Sequence, residues 1–243
     1  MTNRIRKPKL VKKCCKAKLY KGEKCKCYMG QSQKHGFTFE NEVRKIFGLK
    51  PESNDRNVHD IPCSLNKFNT NENISIKTVG NTTICCGDIL RFFSYDFSKK
   101  NTIIVIKYTQ IDNQKIVESI YEIDYTSDMH QILFGDCTLQ IIQEYVNMIK
   151  SIPHGRATAE VKKKYKIDKK NIETTNKMKI QINPKVDSKG QRRVQCSIPN
   201  FDTLLKDYII YKSSSESPNK VRGELITSCI VSSKRKRNKK SVK

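Results

Sequence analysis

The stretch V-H-D-I-P (58–62), N-I-S-I-K-T (73–78) and T-I-C-C-G-D-I-L-R-F-F (83–93) decides how the rest of the chain is read. The first two pieces have the look of short strands on either side of a polar turn, residues 63–71. The third places Ile84, Ile89, Leu90 and Phe93 at spacings that predict an amphipathic helix. Asp60, Ser75, Lys77 and Asp88 are the polar groups set into these apolar runs. Ile74 and Ile76 alternate with Ser75 and Lys77, so serine and lysine share one face of the predicted strand.

A carboxylate, a strand-borne lysine and a helix behind them are the parts of a magnesium-dependent nuclease. Magnesium takes hard oxygen ligands and keeps several waters, so one or two carboxylates plus a substrate phosphate suffice. A lysine supplies a cation that orients or helps deprotonate the attacking water and offsets charge on the phosphate.

Asp60 followed by Lys77 resembles the PD-(D/E)xK restriction-endonuclease-like superfamily, with His59 in place of the proline and Ser75 where the second acid stands. A subset of type II restriction enzymes with an S-x-K motif, whose acid has migrated to the following helix, is more similar still. The resemblance covers roughly residues 36 to 110 and implies a mixed β-sheet flanked by helices. It implies Asp60, Lys77, Ser75 and Asp88 as the catalytic group, and Asp60, Asp88 and Glu40 as ligands of Mg2+. A homodimer acting on a palindrome would follow, since each DNA strand then meets its own active site.

Every one of these residues also has an ordinary reading. Asp60 before Ile61-Pro62 suits a turn at a strand end, and Lys77 suits an exposed edge strand. Asp88 suits a solvated helix residue, and Glu40 a first-turn acid favoured by the helix dipole.

Working outward, F-T-F-E-N-E-V-R-K-I-F-G-L (37–49) repeats Phe39, Val43, Ile46 and Phe47 at helical spacing and ends at Gly48. The run T-I-I-V-I-K-Y (102–108) predicts a strand covered on both faces, and K-I-V-E-S-I-Y-E-I-D (115–124) its hairpin partner. Leu139 to Ile149 is an amphipathic helix, broken at Pro153 and Gly155. A second helix, 156–170, carries Lys162, Lys163 and Lys164 among its cations. Two alternating strands, 178–187 and 191–198, would form a basic β-ribbon. There Gln191, Arg192, Arg193 and Gln195 are residue types that read base edges in the major groove, while Lys185 and Lys189 suit phosphates.

The chain therefore reads as α/β, with a basic cysteine-bearing arm (1–35), a catalytic core (36–152), a basic DNA-facing lobe (153–230) and a disordered basic tail (231–243). At 243 residues it is long enough for one sizeable core. Its net charge of +24 predicts a polyanionic partner, double-stranded DNA under this reading. Residues 1–30 carry 11 basic and 1 acidic side chains, 150–193 carry 14 and 4, and 231–243 carry 7 and none, so the remainder is mildly acidic. That remainder holds the predicted active site, as a phosphodiesterase requires: cations grip the backbone while carboxylates hold metal.

Ten cysteines without a secretory signal or a long apolar run predict free thiols, an intracellular setting in the cytoplasm and no membrane partner. The ending K-R-K-R-N-K-K suits a nuclear signal or a DNA tether equally. Cys15, Cys25 and Cys27, near Cys14 and His35, offer thiolates for zinc, and C-K-A…G-x-x-C resembles the opening of a short zinc module of some large DNA viruses. The same segment reads as a basic arm with incidental thiols. Two further functions remain open: a repair or recombination nuclease that recognises DNA structure, and a nonenzymatic basic nucleic-acid-binding protein.

Overall fold

The computed structural model describes residues 31–51, 58–111, 114–155, 157–187, 190–214, 219–226 and 229–230, with side chains of the first helix described from Thr38 onward. The expected zinc ligands Cys15, Cys25 and Cys27, the phosphate contact Lys189 and the basic tail lie outside these residues.

The centre of the molecule is β3 (Lys100–Ile111), the unbroken β-branched run. It lies between β1 (Glu72–Val79), which it pairs in parallel, and β4 (Gln114–Asp124), its antiparallel hairpin partner. Ile103 and Val105 point into one apolar cluster, Ile104 and Ile106 into another on the opposite face. Burial on both faces is why no polar alternation appears there. The far edge of β4 is met by β7 (Ile209–Lys212) and, at its other end, by β10 (Cys229–Ile230).

On one face α1 (Gln31–Ile46) packs Phe39 and Val43, with Phe47 just beyond, against Ile61, Ile74, Ile76 and Ile104. The helix ends as expected at Gly48, whose φ of 77° only glycine adopts freely. A tight hairpin of β8 (Lys220–Val221) and β9 (Glu224–Leu225) closes this face, its two-residue turn Arg222-Gly223 having both φ positive.

The other face carries most of the core. Here β2 (Ile84–Asp88) and α2 (Ile89–Phe93) follow β1, and α3 (Ser127–Phe134), α4 (Leu139–Ser151) and α5 (Ala159–Thr175) follow β4. A second sheet of order β2-β6-β5 joins them, with β5 (Gln181–Val186) and β6 (Arg192–Ile198) antiparallel. The architecture is thus mixed α/β, a mixed sheet flanked by helices, as read from the sequence.

One expectation needs correction. Residues 84–93 are not one helix: Ile84–Asp88 is a strand paired with β6, and only Ile89–Phe93 is helical. The register shift at Cys85/Gly87, with Gly87 at φ 83°, is a bulge that turns the chain from strand into helix. Within residues 153–230, β5 and β6 pack on the same core as the strands before them. β6 pairs with β2, and Ile182, Val194, Cys196 and Ile198 share one apolar cluster with Ile84, Ile103 and Tyr121.

Candidate active site

Asp60 is placed by a single antiparallel bridge, Ile61 to Ile74, whose two main-chain hydrogen bonds (3.0 and 2.8 Å) pin residues 58–61 beside the open edge of β1. Arg44 of α1 holds the segment from behind, donating from Nη1 to the Asp60 carbonyl and from Nε to that of Lys50 (3.2 Å). The Asp60 carboxylate then folds back over the strand. Its Oδ2 accepts the Ile76 amide at 2.5 Å, a donor that the open edge would otherwise leave unpaired.

The same oxygen lies 3.3 Å from Nζ of Lys77, with the two side chains 24% and 20% exposed. Among the described residues Oδ1 of Asp60 accepts no hydrogen bond, so one carboxylate oxygen is without a partner there. Burial alone would make Lys77 easier to deprotonate. The Asp60 carboxylate outweighs that, assisted by Tyr95 and Cys86, and the ammonium is held above its ordinary range. Lys77 is therefore a fixed cation at neutral pH.

Ser75 shares the Lys77 face, as the alternation predicted, but is 2% exposed. Its Oγ lies 2.9 Å from the Tyr95 hydroxyl and 3.5 Å from Nδ1 of His59, and the rings of His59 and Tyr95 meet edge to face at 4.5 Å. Burial lowers the His59 pKa, partly offset by Asp60, and so favours the neutral imidazole beside the ammonium of Lys77. Burial raises the Tyr95 pKa, with Lys77 opposing. The group is thus an Asp60–Lys77 ion pair at the surface backed by a buried Ser75, Tyr95 and His59 network.

Asp88 is exposed and caps α2, its Oδ1 accepting the Arg91 amide at 3.1 Å. Glu40 sits half-buried on α1. Among the described residues no three of His, Cys, Asp and Glu converge on a point where a metal would sit, so the expected set Asp60, Asp88 and Glu40 is not assembled. Asp60, with one oxygen that accepts no hydrogen bond among the described residues, fits the minimal demand of magnesium, one carboxylate with the remaining positions left to water and phosphate.

The predicted nucleic-acid residues divide. Arg193 and Lys185 are exposed and directly opposite one another on β6 and β5, and Gln191 is exposed. Gln195 lies on the same outward face, between Asp88 and Asn183. Lys163 and Lys164 are exposed on α5 and Lys162 is half-buried. Arg192 is not a base reader. Its Nε donates to Ile152 (2.9 Å), Nη1 to Asp187 and Gln191 (3.0 and 2.7 Å), and Nη2 to Pro153 and Gly155, all main-chain carbonyls. A guanidinium has five N–H donors, so none is left for a base edge. Nor do β5 and β6 form a free ribbon, since β2 covers the other side of β6.

Two contributors to the site, Tyr95 and Arg44, are not foreseen from the sequence. Neither stands in a motif, and each reaches the site from a neighbouring helix or turn. No family model, no curated protein and no solved structure matches the chain.

Proposed function

We propose that the chain is a phosphodiesterase that cuts double-stranded DNA with magnesium, most simply as a type II site-specific endonuclease of the PD-(D/E)xK kind with an S-x-K motif. One observation carries the reading: a carboxylate and a lysine separated by seventeen residues meet at 3.3 Å on an open strand edge, and among the described residues the second carboxylate oxygen accepts no hydrogen bond.

In this reading Asp60 would hold the magnesium ion and Lys77 would stay protonated, orienting the attacking water and offsetting charge on the scissile phosphate. Magnesium, when bound, would supply Lewis-acid stabilisation and a more acidic water. Arg44 and the Ile76 amide fix where the Asp60 carboxylate points. Ser75, Tyr95 and His59 support the strand beneath Lys77 and exclude water from it. A dimer is expected where the target is a palindrome.

A second reading is supported by the same oxygen. Asp60 Oδ2 already caps a free strand amide and pairs a lysine, which is a sufficient structural role for it in a nonenzymatic basic DNA-binding protein. Incubating the full chain with genomic DNA and magnesium, with and without a chelator, separates the two. Discrete, chelator-sensitive fragments that disappear in Asp60→Asn and Lys77→Met support site-specific cleavage. A smear lost in the same variants would move the reading to a repair or recombination nuclease, and uncut DNA in every lane would leave the binding protein.

A further inference from the structure

Two basic segments that follow one another in the chain, α5 and the β5-β6 pair, are bolted together at both ends. At one end Glu173 of α5 accepts the Ile182 amide of β5 at 2.6 Å, capping the open edge of the second sheet, and pairs Lys169 at 3.5 Å. At the other, the Arg192 guanidinium grips the carbonyls of Ile152, Pro153 and Gly155, immediately before α5 begins. Since Arg192 is paired with Val186, α5 must run back alongside β5.

Helical spacing then fixes which lysines lie on that flank. Lys162, Lys166 and Lys169 stand at i, i+4 and i+7 with Glu173 at i+11, one straight stripe along the helix. The inner stripe of α5, with Tyr165 buried and Val161 and Ile172 against the core, is a quarter-turn away. Along the other side of the join, Lys185 and Arg193 stand opposite each other on the outward face of the sheet, while Ile182, Val194 and Cys196 point inward. Among the described residues Lys162, Lys166, Lys185 and Arg193 make no ion pair.

We propose that these cations form one ledge that grips the sugar-phosphate backbone of a DNA duplex irrespective of sequence, with Arg192 as the clasp that builds the ledge. This rests on the nucleic-acid reading above and assigns its grip. The partner chemistry follows from what the ledge offers. Unpaired ammonium and guanidinium groups match phosphates. The outward side chains beside them, Gln181, Asn183 and Gln195, include no aromatic ring, so this part of the ledge offers no stacking surface of the kind by which single strands are held.

The test is fluorescence anisotropy of the full chain with a labelled duplex of arbitrary sequence, over a salt series in the presence of calcium. The proteins are the wild type, a Lys162→Ala/Lys166→Ala/Lys185→Ala/Arg193→Ala variant and Arg192→Ala, with circular dichroism as the control for folding. The four-site variant is expected to bind at least about tenfold more weakly at physiological salt. Its log-affinity against log-salt slope should be shallower by about 3 to 4, since each phosphate left without its cation removes about 0.9 from the slope. An unchanged slope in a folded four-site variant overturns the ledge alone, because the wild type still binds and the grip then lies elsewhere. A wild type that binds no duplex at any salt overturns the ledge together with the nucleic-acid reading. Arg192→Ala is expected to weaken binding only together with a lowered melting temperature. Full melting stability with lost affinity would show that Arg192 touches DNA itself and overturn its role as clasp.

Discussion

Nζ of Lys77 stands 3.3 Å from Oδ2 of Asp60, and the amide of Ile76, the residue beside that lysine, donates to the same oxygen at 2.5 Å. One atom therefore closes a strand edge and neutralises a lysine, which ties the chemistry of the site to its stability. The two contributions separate by substitution. Asp60→Asn keeps an oxygen for the Ile76 amide and removes the charge, whereas Asp60→Ala removes both.

Cleavage is accordingly expected to fall at least about a hundredfold in both variants if charge on Asp60 serves the reaction. Asp60→Ala should lose about 1 to 3 kcal/mol of stability, and Asp60→Asn clearly less. The Lys77 pKa is raised by the partnership, so its stabilisation is fully present below the unfolded lysine value, about 10.4, and is lost as pH rises through the higher folded one. The wild-type advantage over Asp60→Asn should thus persist from neutral pH to about 10. Melting curves across that range check it, and an advantage that vanishes by pH 8 would contradict the pairing.

Ser75 and Tyr95 bury a hydroxyl pair at 2.9 Å, and their contribution is expected to appear as coupling. Ser75→Ala strands the Tyr95 hydroxyl and Tyr95→Phe leaves Ser75 only its longer contact to His59, so each should cost about 1 to 2 kcal/mol, while the double variant should cost less than the sum by about 1 kcal/mol. A double-mutant cycle by urea denaturation measures this, and additive losses would dissolve the network. Because Ser75 is 2% exposed, its loss should change stability and not metal affinity.

Asp88 separates a cap from a ligand. Asp88→Asn retains an N-cap oxygen for the Arg91 amide at 3.1 Å and should hold stability within a few tenths of a kcal/mol, whereas Asp88→Ala should cost about 1 kcal/mol. Calorimetry with manganese then decides the rest: metal affinity kept in Asp88→Asn marks a cap only, and affinity lost with stability kept marks a ligand.

The pattern of what was readable follows from where the determinants lie. β3 could be read because an apolar run covered on both faces needs no partner to be recognised. The shared face of Ser75 and Lys77 could be read because strand alternation is local. The spacing over 84–93 imitates a helix because Ile84 and Ile89 flank a bulge at Gly87, where a strand runs into one helical turn. The Arg192 clasp leaves no local signal, because its carbonyl partners lie 37 to 40 residues away. Tyr95 follows α2 by two residues, and only the crossover from β1 to β3 delivers it to Ser75.

His130 lies among Phe93, Phe97 and Phe134 with its Nδ1 2.9 Å from the Tyr125 hydroxyl, and burial lowers its pKa to about 4. The unfolded chain binds the proton near pH 6.5, the folded chain only near 4. Stability should therefore fall as pH drops through that interval, by roughly 1 to 3 kcal/mol after allowance for partial exposure. Melting temperatures at pH 7 and 4.5 should differ less in His130→Gln than in the wild type. An equal drop in both would assign the acid sensitivity to other groups.

On the opposite face Arg222 in the β8-β9 turn reaches two buried carboxylates: Glu72 at 2.8 Å and Glu122 at 3.4 Å, 1% and 6% exposed. Glu72 is also served by Thr102 (2.5 Å) and Asn66 (3.1 Å), so Glu122 depends more heavily on the guanidinium. Burial already raises the Glu122 pKa against the pull of Arg222, with Glu72 adding to the rise. Removing Arg222 leaves two like charges facing each other out of water, which costs about 3 to 5 kcal/mol. Arg222 also sits at φ 51°, a left-handed conformation that glycine adopts freely. Arg222→Gly therefore relieves the backbone while losing the same charge and should be less destabilised than Arg222→Ala. In either variant the folded Glu122 pKa rises further above its unfolded value, so stability is lost as pH climbs above about 4.3. Both variants should melt nearer the wild type at pH 5 than at pH 8. A deficit that stays constant over that range would show that the two carboxylates do not need the arginine to remain ionised.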